Sequence, residues 1–168
     1  MESGTNSVSS DVDPYMQGLA FKEAESCMYG GTGCEFRKDS IKYPANDAKD
    51  YYGRGPLSIA GNEEYGAFGD AFGPIKVDGY KRFINKPEDV IADDYTAFSS
   101  AIWLYMTPKE FMPSMHDIVT GFWQPNGTDQ NMKIFSGFGA TNAIINGEDE
   151  CNKYYDTDAS AARQTFYR

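Results

Sequence analysis

From residue 61 onward the apolar positions recur every three to four residues, the spacing that gathers them on one face of a helix. Tyr65, Phe68 and Phe72 share such a face, Asn62 stands where a helix cap belongs, and Gly73 ends the run. A second stripe of Tyr95, Phe98, Ile102 and Tyr105 starts behind Asp93 or Asp94 as cap and stops before Pro108. The stretch 74–93 between them, with Pro74, Gly79 and Pro87, reads as a connection. Ser114 caps a short helix, "MHDIVT", that ends at Gly121, and two further short helices are predicted around 139–146 and 158–167. Residues 1–56 carry little periodicity and read as loop. No strand-like alternation persists beyond a few residues, and there is no internal repeat. The predicted architecture is mainly α with long loops, one of the arrangements that builds a cleft.

The 168 residues suit one domain with one core, and a chain 40% apolar and 15% aromatic packs rather than staying disordered. A net charge of −10 argues against nucleic acid and against an anionic membrane as partner. No apolar run approaches the roughly 20 residues of a membrane helix. The opening "MESGTNSVSSDVDPY" has neither a basic start nor an apolar stretch, so no signal peptide is visible in this chain. Cys27 and Cys34 enclose "MYGGTG", a glycine-rich loop able to close as a disulfide, and Cys151 is left over. Asn126-Gly127-Thr128 is a glycosylation sequon, relevant if the chain is secreted.

The stretch "YYGRGPLSIAGNEEYG" at 51–66 combines glycines, a fenced arginine and two tyrosines, chemistry suited to phosphate, carboxylate or sugar. It lacks the Gly-Lys-Ser/Thr of a phosphate loop and the preceding apolar strand of a dinucleotide site, which leaves a sugar-facing or structural loop. In so acidic a chain, Arg54 is expected to pair with an acidic neighbour. His116 is the only histidine, so a zinc site and a histidine-activated nucleophile both lack their parts. "DTDAS" at 156–160 starts like a calcium loop but lacks its glycine and its closing glutamate, and reads as a helix cap. Carboxylates remain for catalysis. Glycoside hydrolysis needs only two, one protonated and one ionised, flanking the linkage. Glu2, Glu23, Glu25 and Glu150 stand out by their aromatic or glycine-rich neighbours.

Several stretches together resemble glycoside hydrolase family 19, the plant and bacterial chitinases. "YYGRGPLSIAGNEEYGAFGDAFG" is similar to the family's Tyr-Tyr-Gly-Arg-Gly-Pro-Ile-Gln-Leu signature. "NKPEDVIADDYTAFSSAIWLYMTP", "SMHDIVTGFWQP" and "GFGATNAIINGEDEC" resemble further family segments in the family's order, and "DPYMQGLAFKEAE" resembles its Pro-Tyr-x-x-Gly-Tyr-Cys-Phe-x-x-Glu. The resemblance covers roughly residues 13–168. It implies a lysozyme-like α-helical fold around a substrate cleft and endo-hydrolysis of β-1,4-linked N-acetylglucosamine with inversion. It implies no metal or organic cofactor, a monomer, and a secreted parent.

Laid on the family's His-Glu motif, the start of the chain puts the general acid on Glu2. The family's base position, three residues after the phenylalanine, falls on Ala24. Glu25, and next to it Glu23, are the carboxylates that a one-residue adjustment restores. Tyr52, Arg54, Ser58, Asn62, Glu64, Asn146, Glu150 and Arg163 are the implied substrate-binding or cleft positions. Three departures bear on activity: the family's glutamine is Ser58, its water-orienting hydroxyl residue is Ala60, and its Tyr-Asn pair is Glu63-Glu64. The resemblance also implies a partial catalytic domain, lacking the family's N-terminal part and the C-terminal cysteine that pairs with the Cys151 position. A chitin-binding protein with impaired turnover is the alternative expectation.

Overall fold

The structure, a computed structural model, describes residues 22–72, 80–109 and 111–150, with 161 and 164. The chain divides after Trp103 into two compact units. Helices account for nearly all regular structure. They are α1 (Glu25–Met28), α2 (Gly61–Phe72), α3 (Lys81–Asn85), α4 (Asp94–Met106), α5 (Met115–Thr120), α6 (Gly127–Asn131) and α7 (Phe138–Glu150), with a 3-10 turn at Pro87–Ile91. Among the described residues β pairing is confined to isolated bridges.

In the first unit α2 is the central element, and it buries the face that its spacing predicts. Tyr65 and Phe68 are at most 1% exposed. The Phe68 ring stacks on Phe83 of α3 at 4.9 Å and lies 5.7 Å from Trp103. Tyr51 is wholly buried and meets Tyr65 edge to face. Its hydroxyl receives the Asn46 N–H and donates to the Ile84 carbonyl, each at 2.8 Å, so this phenol satisfies two loops at once. Gly66 lets the Tyr43 ring lie against α2, since a Cβ there would collide with it.

Two local expectations change. Asn62 is not the cap of α2. It lies inside the helix, with no exposed surface, and its amide is spent on the 38–43 loop. The Ala60 N–H is instead accepted by the Glu64 carboxylate at 2.9 Å, one turn ahead. The connection read at 74–93 contains α3 and the 3-10 turn, which Pro87 opens at a position where the missing N–H costs nothing.

Helix α4 forms where its stripe predicts, and Asp93 is the cap, accepting from the Thr96 N–H and hydroxyl at 2.8 and 2.9 Å. The buried side is the opposite one. Thr96, Ala97 and Ser100 are at most 2% exposed, whereas Tyr95, Phe98 and Ile102 are more than half exposed. The small face allows a close approach by the loop at Gly55, where a Cβ would strike Ser100 Oγ.

In the second unit, Ser114 caps α5 as predicted, accepting from the Asp117 N–H at 3.0 Å, and Gly121 ends the helix with φ 79°. Helix α5 packs on α7. Met115, Ile118 and Ile144 are buried in this unit. Helix α7 runs longer than the predicted 139–146, and the short helix α6 appears behind a capping box at Asn126. The predicted helix at 158–167 lies outside the described residues except at 161 and 164, both helical. His116 is half-buried, its ring edge to face with Tyr105 at 6.0 Å.

Candidate functional site

Three short segments meet in the first unit. Glu23 and Arg54 form an antiparallel bridge, with the Ala24 N–H donating to Gly53 O at 2.9 Å and the Gly55 N–H to Lys22 O at 2.8 Å. Arg54 pairs on its other side with Ile59, through bonds of 3.2 and 3.0 Å. The turn between them closes with the Ser58 N–H on Gly55 O, and it needs left-handed backbone at Gly55 (φ 81°) and at Ser58 (φ 55°). For a non-glycine residue that conformation costs roughly 1–2 kcal/mol. Ser58 is thereby laid over Gly53, whose missing side chain leaves the room.

With its backbone held on both sides, the Arg54 side chain turns inward and is 5% exposed. Nε donates to Glu23 Oε2 at 3.3 Å, and Nη1 donates to the Asp50 carbonyl at 3.0 Å and to the Tyr65 hydroxyl at 2.9 Å. The guanidinium carbon lies 3.7 Å from the centre of the Tyr52 ring. The Tyr52 hydroxyl completes the circuit by donating to the same Glu23 oxygen at 2.9 Å, while Tyr65 donates to the Tyr52 carbonyl at 2.7 Å. Burial raises the Tyr52 phenol above its ordinary range, against the pull of Arg54 and with a further push from Glu23. Burial likewise drives Tyr65 well upward, with Arg54 opposing. Both phenols therefore stay protonated donors across the physiological range.

Helix α1 begins at once after this lock. Ala24 is its N-cap residue, and Glu25 is its first residue. The Cys27–Cys34 disulfide joins that helix to the loop beyond it, as the residues alone allow.

Of the expected site residues, the structure thus brings Glu23, Tyr52 and Arg54 together, with Ser58 on the adjoining turn. Arg54 and Asn62 are too enclosed to line an open wall, and both hold loops in place. Glu64 caps the Ala60 N–H. Glu25, Asn146 and Glu150 have their backbones in α1 and α7, and their side chains lie outside the described part. Glu2, Cys151, Arg163 and the 156–160 segment lie outside the described residues. An acidic partner for Arg54 was expected from composition, but its identity was not, since Glu23 is 31 positions away. Tyr65 is the member that sequence reading missed. Its spacing marks a core residue and carries no sign of a hydroxyl with two partners.

The described residues are mainly helical, with a carboxylate and aromatic cluster beside a glycine-arginine loop, and the fold is of the lysozyme-like α-rich class. The glycoside hydrolase family 19 model, chitinase class I, matches residues 2–168, and the chain belongs to that family. It is 37% identical over 155 residues to Chitinase 1 of Oryza sativa subsp. japonica and 39% identical to Endochitinase 2 of Solanum tuberosum. Each match covers 92% of this chain and 45% of the relative, so the chain spans under half the length of these curated relatives. The fold is shared with the family 19, class IV chitinase of Zea mays, at TM-score 0.58 and 23% identity over 89% of this chain and 56% of that one. Chitinase C of Streptomyces griseus gives the same TM-score at 24% identity, covering 89% and 50%.

Proposed function

We propose that this chain supplies part of an endo-acting chitinase, cleaving β-1,4-linked N-acetylglucosamine in chitin and its oligosaccharides with inversion. The observation that carries the assignment of roles is the lock on Glu23. Glu23 Oε2 already accepts from both Arg54 and Tyr52, and its backbone is bridged to Arg54, so this carboxylate is fixed in place and suited to shaping the site rather than to meeting a water. Glu25, two residues on, is then the base that activates water. It opens a helix anchored at one end by the bridge to Arg54 and further along by the disulfide. Glu2 is the acid that protonates the leaving oxygen. Inversion calls for a carboxyl separation of roughly 6.5–9.5 Å, enough to admit the water. Tyr52, Ser58 and Glu64 of the first unit are the substrate-facing candidates, each only partly buried, and the family resemblance adds Asn146, Glu150 and Arg163 as substrate-binding positions. The reaction needs no cofactor, the protein acts as a monomer on chitin, and its parent is secreted.

A second reading, a chitin-binding protein with impaired turnover, is favoured by one feature. Ala60 offers no hydroxyl where the family orients water, and its N–H is already committed to Glu64. The two readings separate on a chitin hexamer. Shorter products appearing first as α-anomers support inverting hydrolysis. Tight retention of intact hexamer leaves binding alone, and no retention at all removes both.

A further inference from the structure

We propose that Asn126 is a site of N-linked glycosylation. Asn126-Gly127-Thr128 is the only Asn-x-Ser/Thr triplet in the 168 residues, and Asp129, not proline, follows it. The structure adds what the triplet cannot. Asn126 and Thr128 are both exposed. The Asn126 side chain makes its hydrogen bonds through one atom: Oδ1 accepts from the Thr128 N–H at 2.7 Å and from the Asp129 N–H at 3.0 Å. A carboxamide is planar, so an oxygen turned in to cap α6 leaves Nδ2 turned away from those partners. A side chain placed at Gly127 would meet nothing within 4 Å, so the surface beside the amide is open.

Glycosylation and capping use different ends of the same group. Transfer forms a bond from Nδ2 to the anomeric carbon of a sugar donated by a polyprenyl-diphosphate-linked oligosaccharide. The carbon–oxygen bond to the diphosphate breaks, the diphosphate leaves with the electron pair, and one amide proton goes to solvent. The carbonyl oxygen is untouched. It still caps Thr128 and Asp129, and the reciprocal bond from the Asn126 N–H to Asp129 Oδ2, at 2.9 Å, is unaffected. The folded chain therefore accepts the glycan without loss of α6. The Cys27–Cys34 disulfide is an independent mark of the same setting, because such bonds persist in the oxidising compartments where this transfer occurs.

The test is to direct the full chain into the secretory pathway of a eukaryotic host and to map peptides of the purified product by mass spectrometry. The expected result is a hexose- and N-acetylhexosamine-bearing peptide at Asn126, converted to aspartate by a glycan-releasing amidase. T128A removes the acceptor hydroxyl and keeps every capping atom, so the glycan is lost from a chain that still folds. N126D, whose carboxylate retains the cap, gives the same loss by a second route. An unmodified Asn126 in the secreted protein overturns the proposal, as does a glycan that persists undiminished in N126D and so sits on another residue. None of these readouts involves chitin, so their failure is separate from failure of the hydrolase reading.

Discussion

Arg54 and Glu23 form an ion pair of 3.3 Å whose two side chains are only 6% and 20% exposed, and the backbones of the same two residues are bridged. The pair is thus held twice, by main chain and by side chain, and it ties the residues leading into α1 to the glycine-arginine loop.

Breaking that pair leaves a part-buried carboxylate, the Tyr65 hydroxyl and the Asp50 carbonyl short of a donor. Arg54→Met is expected to cost about 3 kcal/mol in urea denaturation, the scale for removing one partner of a buried pair. Arg54→Lys keeps the charge but not the planar fork that reaches three acceptors, and should recover less than half of the loss. A loss below ~0.5 kcal/mol for the methionine variant would show that the pair is no anchor.

The two neighbouring carboxylates separate by function. Glu25→Gln should lower kcat on a chitin oligomer by at least ~100-fold, the usual contribution of a general base. Glu23→Gln keeps a hydrogen-bonding side chain against Tyr52 and should retain turnover within about tenfold while lowering stability. The reverse pattern would make Glu23 the base.

Asn62 tests the difference between holding a loop and holding a sugar. Its amide accepts from the Lys38 N–H at 2.7 Å and donates to the Lys38 and Tyr43 carbonyls at 3.0 and 2.7 Å. Asn62→Ala orphans all three and should cost about 2–4 kcal/mol by denaturant titration. Binding of a chitin oligomer per folded molecule should not change, and weaker binding at unchanged stability would place Asn62 in the cleft after all.

The disulfide closes a short loop, with a sequence separation of 7. On a chain-entropy estimate it contributes about 2.5 kcal/mol. The C27S/C34S double variant should lose that much, and reduction of the parent protein should lower its midpoint to match. Equal midpoints for the oxidised and reduced protein would remove the disulfide from the account of how α1 is held.

Alkaline stability follows from the buried phenols. Tyr43, Tyr51, Tyr52 and Tyr65 are each raised from the ordinary value of 10.0, with burial the largest cause in every case. Above pH 10 the unfolded chain releases protons that the folded chain retains, so stability present at neutral pH falls as pH climbs toward the folded values. Tyr65→Phe removes the largest of these terms and should flatten the decline, measured as denaturation midpoint against pH between 9 and ~11. A decline as steep in the variant as in the parent would assign the effect elsewhere.

The helices were legible because their evidence is local. Ser114 and Gly121 bracket α5 by cap chemistry, and the Tyr65–Phe68–Phe72 spacing marks α2, because backbone hydrogen bonding and side-chain spacing act within a few residues. The family, too, was legible, since order and spacing of motifs are properties of the chain. Which side of a helix faces inward was not. On α4 the apolar stripe pointed to Tyr95, Phe98 and Ile102, yet the buried side is Thr96, Ala97 and Ser100, chosen by a neighbouring loop that needs small residues to pass. The partner of Arg54 was out of reach for the same reason, as were the loop contacts that enclose Asn62. Residues far apart in the chain become neighbours only when packing selects them, and neither charge nor periodicity records which carboxylate the folded backbone will carry to which guanidinium.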